Sequence, residues 1–269
     1  MEAKSNTEVK KLLQVKYNLF QQYFIEVANF ASFLGRYLKE LVQPPYELNE
    51  LLKQSYLIGY KSLPLVGITG FIMGLVLTIQ SRPTLAEFGA ESWLPAMISV
   101  SIVREIGPVI TALICAGKVG SGIGAELASM KVTEQIDSME VAGNNPFKFI
   151  VVTRVTAAML MLPLLTIFND IISMFGSLAG VNIKGDVSFN LFFAQAFAQL
   201  SFTDLIPSLI KTLFFGLAIG IISSYKGYRS NKGTEGVGEA ANSSVVLGSL
   251  MVFVLDIIAV QITSLFIPQ

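Results

Sequence analysis

Long apolar stretches, separated by short charged ones, dominate the pattern of this chain. Five of them approach the roughly 20 apolar residues needed to cross the hydrocarbon core of a bilayer. They are Ser62 to Ile79, Trp93 to about Val119, about Phe149 to Ala179, Leu205 to Ser224, and Ser243 to Ile267. The pattern predicts an all-α integral membrane protein, with five transmembrane helices over residues 62–269. Residues 1–61 form a separate N-terminal segment. Within it, Leu13, Leu19, Phe20, Phe24, Val27, Ala31, Leu34 and Leu38 recur at helical spacing, with Lys16, Gln21, Glu26, Arg36 and Lys39 between them. That is an amphipathic helix over Lys11 to Val42, too polar to span and suited to the headgroup layer. A helix packed on a soluble partner is the plainer alternative. Pro44-Pro45 ends it. Since the first run long enough to cross starts near Ser62, insertion is expected to rest on the spans themselves.

Basic residues give the spans a direction. Lys4, Lys10, Lys11, Lys16, Arg36, Lys39, Lys53 and Lys61 precede the first span; Lys118, Lys131, Lys148 and Arg154 follow the second; Lys226, Arg229 and Lys232 follow the fourth. The other two loops hold only Arg82 and Lys184. The positive-inside rule puts the N-terminus and the two basic loops in the cytoplasm and the C-terminus outside. Composition agrees with a lipid environment: 52% of the 269 residues are hydrophobic and 14% charged, where a soluble domain carries roughly 25% charged residues. The formal net charge is zero, which argues against electrostatic capture of nucleic acid. Histidine is absent and Cys115 is the one cysteine. Histidine zinc sites, Ser-His-Asp triads and a disulfide framework are thereby excluded. Cys115, between Ile114 and Ala116, reads as a small buried hydrophobe.

Charges inside the spans are the first candidates for function: Arg104, Glu105, Asp170, Lys211 and Asp256. Each costs roughly 2.5 to 3.5 kcal/mol at the bilayer centre unless paired or facing a polar cavity. Arg104 and Glu105 diverge by about 100° on a helix, so they are expected to face different sites and find separate partners. Lys211 with Asp256 is a plausible pair, as is Arg104 with Asp170 or Asp256. Structural ion pairing is the plain reading for Glu105, Asp170 and Asp256, whereas Arg104 and Lys211 lean towards an anionic lipid headgroup. Pro64, Pro108, Pro163 and Pro207 sit within or at the ends of spans and read as structural kinks. Gly117, Gly120, Gly122 and Gly124 form a small-residue ridge for close helix packing.

After that ridge, Glu126, Lys131, Glu134, Asp137 and Glu140 read as a short charged helix with Val132, Ile136, Met139 and Val141 as its apolar side. It is expected over about 131–143, either as a solvated connection or as a helix on which an ATPase docks. No phosphate loop is present. GKVGSG has no Ser or Thr directly after Lys118, and EGVGEA lacks the third glycine of the dinucleotide fingerprint. Energy for transport must then come from a partner or an ion gradient. An ion-coupled secondary transporter using Glu105, Asp170 and Asp256 is the alternative, although no internal repeat supports it. An intramembrane enzyme would need a nucleophile, base or metal cluster that these residues do not assemble.

The block from Arg104 to Gly143 (REIGP, the AGKVG run, the AEL segment and VTEQIDSMEVAG followed by NNP) closely resembles the signature region of the MlaE (YrbE) family of ABC permeases. Tyr225 to Asp256, with YKGYRSNKGTEGVGEAANSSVV, resembles its second motif. The departures are mild: Lys118 stands where many relatives would have arginine, and Gly122 with Gly124 is glycine-rich. The resemblance covers the chain from about Leu51 onward. It implies a homodimeric permease of a bacterial inner membrane that moves phospholipid or a related lipid of the Gram-negative envelope. Two cytoplasmic ATPase subunits holding ATP and magnesium, a periplasmic ring of MCE-domain lipid-binding subunits and a STAS-domain regulator are the implied partners. The chain itself would hold no cofactor and catalyse nothing. Glu134, Gln135, Ile136, Asp137, Met139 and Glu140 map to the coupling helix, and Arg104, Glu105, Lys211 and Asp256 fall near the lipid cavity. The C-terminus would be periplasmic.

Overall fold

A computed structural model describes residues 21, 24–183, 185–230 and 233–266. Among these residues there is no strand. The chain divides into two units, Met1–Tyr46 and Glu47–Gln269. In the first unit a helix, α1, runs over 24–42, with Arg36 and Glu40 one turn apart at 3.9 Å. The earlier part of the expected amphipathic helix, residues 11–20 and 22–23, lies outside the described residues. The Pro44–Pro45 peptide is cis.

The second unit holds the spans. Its helices are α2 (Leu48–Ile58), α3 (Leu63–Glu87), α4 (Leu94–Ser101), α5 (Gly107–Cys115), α6 (Ser121–Val132), α7 (Gln135–Val141), α8 (Thr153–Asn182), α9 (Phe189–Ala198), α10 (Phe202–Tyr228) and α11 (Gly233–Phe266). Five continuous helical stretches among the described residues are long and apolar enough to cross a membrane: Leu48–Glu87, Glu91–Val132, Phe147–Asn182, Phe202–Tyr228 and Gly233–Leu265. Each is longer than the run that hydropathy delimits. The second, at 42 residues, measures about 60 Å at 1.5 Å per residue, twice the hydrocarbon thickness. Helical hydrogen bonding continues through the charges at Arg82, Glu126 and Glu235, which end an apolar run without ending a helix. Pro83 also lies inside α3. Pro64 and Pro108 occupy first-turn positions of α3 and α5, while Pro163 and Pro207 are internal to α8 and α10.

α8 is the axis of the bundle and packs on α2, α3, α5 and α10. Water cannot drive helices together inside a bilayer, so close backbone approach and hydrogen bonds must. Gly70 and Gly74 on α3 face Asn169 and Ser173 of α8, and Gly176 of α8 lies on the Phe71 backbone, where a Cβ would overlap it. Thr78 bonds to Ser177 across the same seam at 2.7 Å. Gly216 and Gly220 bring α10 onto Ala158 and Val155. Each pair is spaced four apart, one glycine per turn on a single helix face. Cys115 is fully buried. The spans differ sharply in cover: 61% of the apolar window of Phe147–Asn182 is buried, against 11% for Gly233–Leu265.

Candidate functional site

Span two carries the site because it is not a uniform α-helix. Pro108 has no N–H to donate four residues back, and the ladder re-registers just before it: Ile102–Ile106 is a π-helical turn, closed by Gly107 N–H donating to the Ile102 carbonyl. Such turns widen a helix locally and recur at functional positions. This one carries Arg104 and Glu105.

Their partners are spaced along α10. Ser201 caps that helix and Asp204 closes a capping box with it, Asp204 Oδ2 accepting from the Ser201 amide at 3.1 Å and hydroxyl at 2.9 Å. The other oxygen, Oδ1, accepts from Arg104 Nη2 at 2.6 Å and Nε at 2.9 Å. Two turns further on, Lys211 Nζ lies 2.6 Å from Glu105 Oε2 and 3.0 Å from Asp256 Oδ1 of α11. The Lys211–Asp256 pairing read from the sequence is present. Arg104 meets neither Asp170 nor Asp256; its partner is Asp204, which the expected span boundary at Leu205 left outside. The S-x-x-D spacing before an apolar run is the signal that marks Asp204. Arg104 and Glu105 do have separate partners, yet they line one cavity of about 500 Å³ with Asp204, Ser208, Lys211 and Thr263. Asp204 and Lys211, seven residues apart on one helix face, draw both long side chains to the same side. An apolar cavity of about 400 Å³ adjoins it, sharing Pro207, Lys211, Ala259 and Thr263 and walled by Ile210, Phe214 and Ile258.

Lys211 is 6% exposed, whereas the side chains of Arg104 and Glu105 are 47% and 42% exposed. The buried lysine is held between two carboxylates, and the two side chains left partly exposed, each already paired, carry opposite charges. Asp170 does not join this network. It is buried against Gly107, on the α8 side of span two.

The opposite end of the bundle holds the short charged helix. α6 ends at Val132, and Glu134 takes a left-handed conformation (φ 58°) that turns the chain into α7. Lys131 Nζ lies 2.7 Å from Asp137 and ties the corner. Glu126 and Lys131, expected on the short helix, belong instead to α6, because the helix runs through the charges. On α7, Ile136 is buried and Met139 half-buried. Glu134, Gln135, Asp137 and Glu140 are exposed, and Val141 is 90% exposed rather than part of an inner apolar side. Gly124 meets Ala240 and Ser244 of α11, Gly227 of α10 meets Leu127, and Gly120 approaches Ser223. Gly117 and Gly122 face open space and pack on nothing within the described residues. Sequence reasoning also missed an ion pair here: buried Arg154 places Nη2 2.8 Å from Oε1 of half-exposed Glu126, so Arg154 is internal to the bundle and not a loop charge.

Five apolar spans, three of which line a cavity of paired charges, with an exposed charged helix at the far end, make this an all-α integral membrane protein. The chain belongs to the MlaE permease family: the sequence model described as Permease MlaE matches residues 51–262. It is 36% identical over 250 residues to a probable ABC transporter permease protein of Rickettsia typhi, covering 91% of this chain and 96% of that protein. It is 39% identical over 241 residues to a similarly named protein of Rickettsia prowazekii, covering 89% and 92%. It is 36% identical over 214 residues to the intermembrane phospholipid transport system permease protein MlaE of Haemophilus influenzae, covering 79% and 82%.

Proposed function

We propose that this chain is the permease subunit of an ABC transporter that moves phospholipid across a bacterial inner membrane towards, or from, the outer membrane. Two copies would enclose the lipid path, with ATP hydrolysed by partner subunits docked at α7 in the cytoplasm and MCE-domain subunits, with a STAS-domain regulator, completing the assembly. The N-terminus would be cytoplasmic, α1 would lie in the headgroup layer and the C-terminus would be periplasmic. The reading is supported by family membership and by the phospholipid transport for which the Haemophilus influenzae relative is named.

The observation that carries it is the join between the charged cavity and the apolar one at Lys211 and Thr263. An amphiphile needs both environments side by side. With Arg104 and Glu105 half-exposed and oppositely charged, the headgroup that suits the cavity is zwitterionic: Arg104 would receive the phosphate and Glu105 the amine. Lys211, closed in by two carboxylates, holds α10 to spans two and five and positions Glu105.

Proteoliposome transfer of fluorescent phosphatidylethanolamine by the assembled complex tests this. Arg104→Ala and Glu105→Gln are each expected to cut ATP-dependent transfer at least tenfold while ATPase subunits stay bound. Unchanged transfer in both variants would remove this cavity from the lipid path.

A further inference from the structure

A separate cavity of about 400 Å³ lies on the other side of the first turn of α10, between α8, α9 and that turn. It shares no lining residue with the charged cavity or its apolar neighbour. Its walls are aromatic: Phe189 and Phe193 lie 4.5 Å apart, Phe193 and Phe197 5.8 Å, and Phe193 and Phe175 5.7 Å. Their spacing along α9 places three rings on one face, one per turn. Asp170 is the one charged residue among those that line this apolar space, and its Oδ1 lies against Gly107 at the edge of it.

Asp170 stands apart from the other acids of the spans. Glu105 and Asp256 meet Lys211, Asp204 meets Arg104, and Glu126 meets Arg154. Among the described residues Asp170 has no ion-pair partner and is 6% exposed; its Oδ1 accepts no hydrogen bond, and the Asn169 side chain is its one hydrogen-bonding neighbour. Room for it is made by Gly107, where any side chain would collide with Oδ1. A carboxyl at this depth with no cation beside it is costly to ionise. A cation placed beside it offsets that cost, and aromatic faces add to the attraction. The volume is that of a small-molecule site.

We infer that this cavity binds a single-chain amphiphile with a cationic amine head, its ammonium against Asp170 and its alkyl chain among the phenylalanine rings. The inference does not depend on lipid transport, since the two cavities share no residue and need no common ligand.

The test uses the full chain in lipid nanodiscs with a photoreactive dodecylamine, alongside the matching alcohol and sulfate. Labelled peptides are mapped by mass spectrometry and normalised to labelling of the exposed side of α3. The amine is expected to label Phe175 and residues 189–205 preferentially, with unlabelled dodecylamine competing and dodecyl sulfate not. Asp170→Asn should lower that labelling at least tenfold. Phe193→Trp, which fills the cavity and keeps the carboxyl, should do the same. Equal labelling by the alcohol, or no change in either variant, would overturn the inference. Should Asp170→Asn fail to fold, the amine-to-alcohol ratio and Phe193→Trp still decide it.

Discussion

Lys211 is the residue on which the charged cavity depends. Nearly buried, it answers two carboxylates from two other spans, so removing it leaves both uncompensated. The larger cost falls on Asp256, 19% exposed, while Glu105, 42% exposed, keeps access to water. Lys211→Met is expected to lower the melting temperature in detergent markedly, and adding Asp256→Asn to that variant should recover part of the loss. A single variant that melts like the wild type would show that the lysine is not the counter-ion. Glu134 offers a second prediction. A non-glycine residue in the left-handed region carries about 1–3 kcal/mol of strain. Glu134→Gly should therefore leave the α6–α7 corner intact, and Glu134→Val should expose it to protease. Much at this scale was legible. The intramembrane charges announce themselves by their cost, and Lys211 with Asp256 follows from both lying within neighbouring spans. Asp204 was not recovered, because its role depends on a cap just ahead of the apolar run. The partner of Arg154 was hidden for a related reason: a basic residue near a span end reads as a loop charge until the helix is seen to extend past it.

Helices here meet through glycine spacing more than through bulk. Gly74 on α3 and Gly176 on α8 each face the backbone of the other helix, so Gly74→Leu or Gly176→Leu must push α3 and α8 apart. Either should abolish recovery of monodisperse protein in gel filtration, while Gly117→Ala, with nothing within 4 Å, should be recovered like wild type. The sequence marks the first span as glycine-rich but leaves open which helix it meets, because a ridge specifies a close approach without naming the other side. Element type was legible throughout and element ends were not. Glu235 and Glu239 precede Ser243, where the apolar run of the fifth span begins, yet both lie on α11. The same extension carries Glu126 and Lys131 onto α6 and leaves α7 as a helix of seven residues.

Across the molecule, two functional ends are separated by the length of α10: Asp204 stands in its first turn and Gly227 in its last, about 35 Å apart at 1.5 Å per residue. On the proposed reading, a partner acting at α7 would reach the charged cavity through α6 and the two π turns of span two, Ile102–Ile106 and Ala116–Gly120. α11 has a mean hydropathy of 2.5 in its most apolar window and little of it is buried, leaving a face for lipid or for a second copy. Ile257, 66% exposed on α11, is a place to ask which. Ile257→Cys should cross-link between copies under oxidation, with buried Cys115 silent; a chain that stays monomeric would assign that face to lipid. The central claim, that this permease is driven through α7 by a separate ATPase, is tested most directly by purifying the chain from its host in mild detergent and identifying the bound proteins and lipids by mass spectrometry. The account predicts an ABC ATPase and phospholipid with the wild type, and loss of the ATPase alone with Glu134→Lys and Asp137→Lys combined. Recovery of the same ATPase with the double variant, or of no ATPase with the wild type, would contradict it.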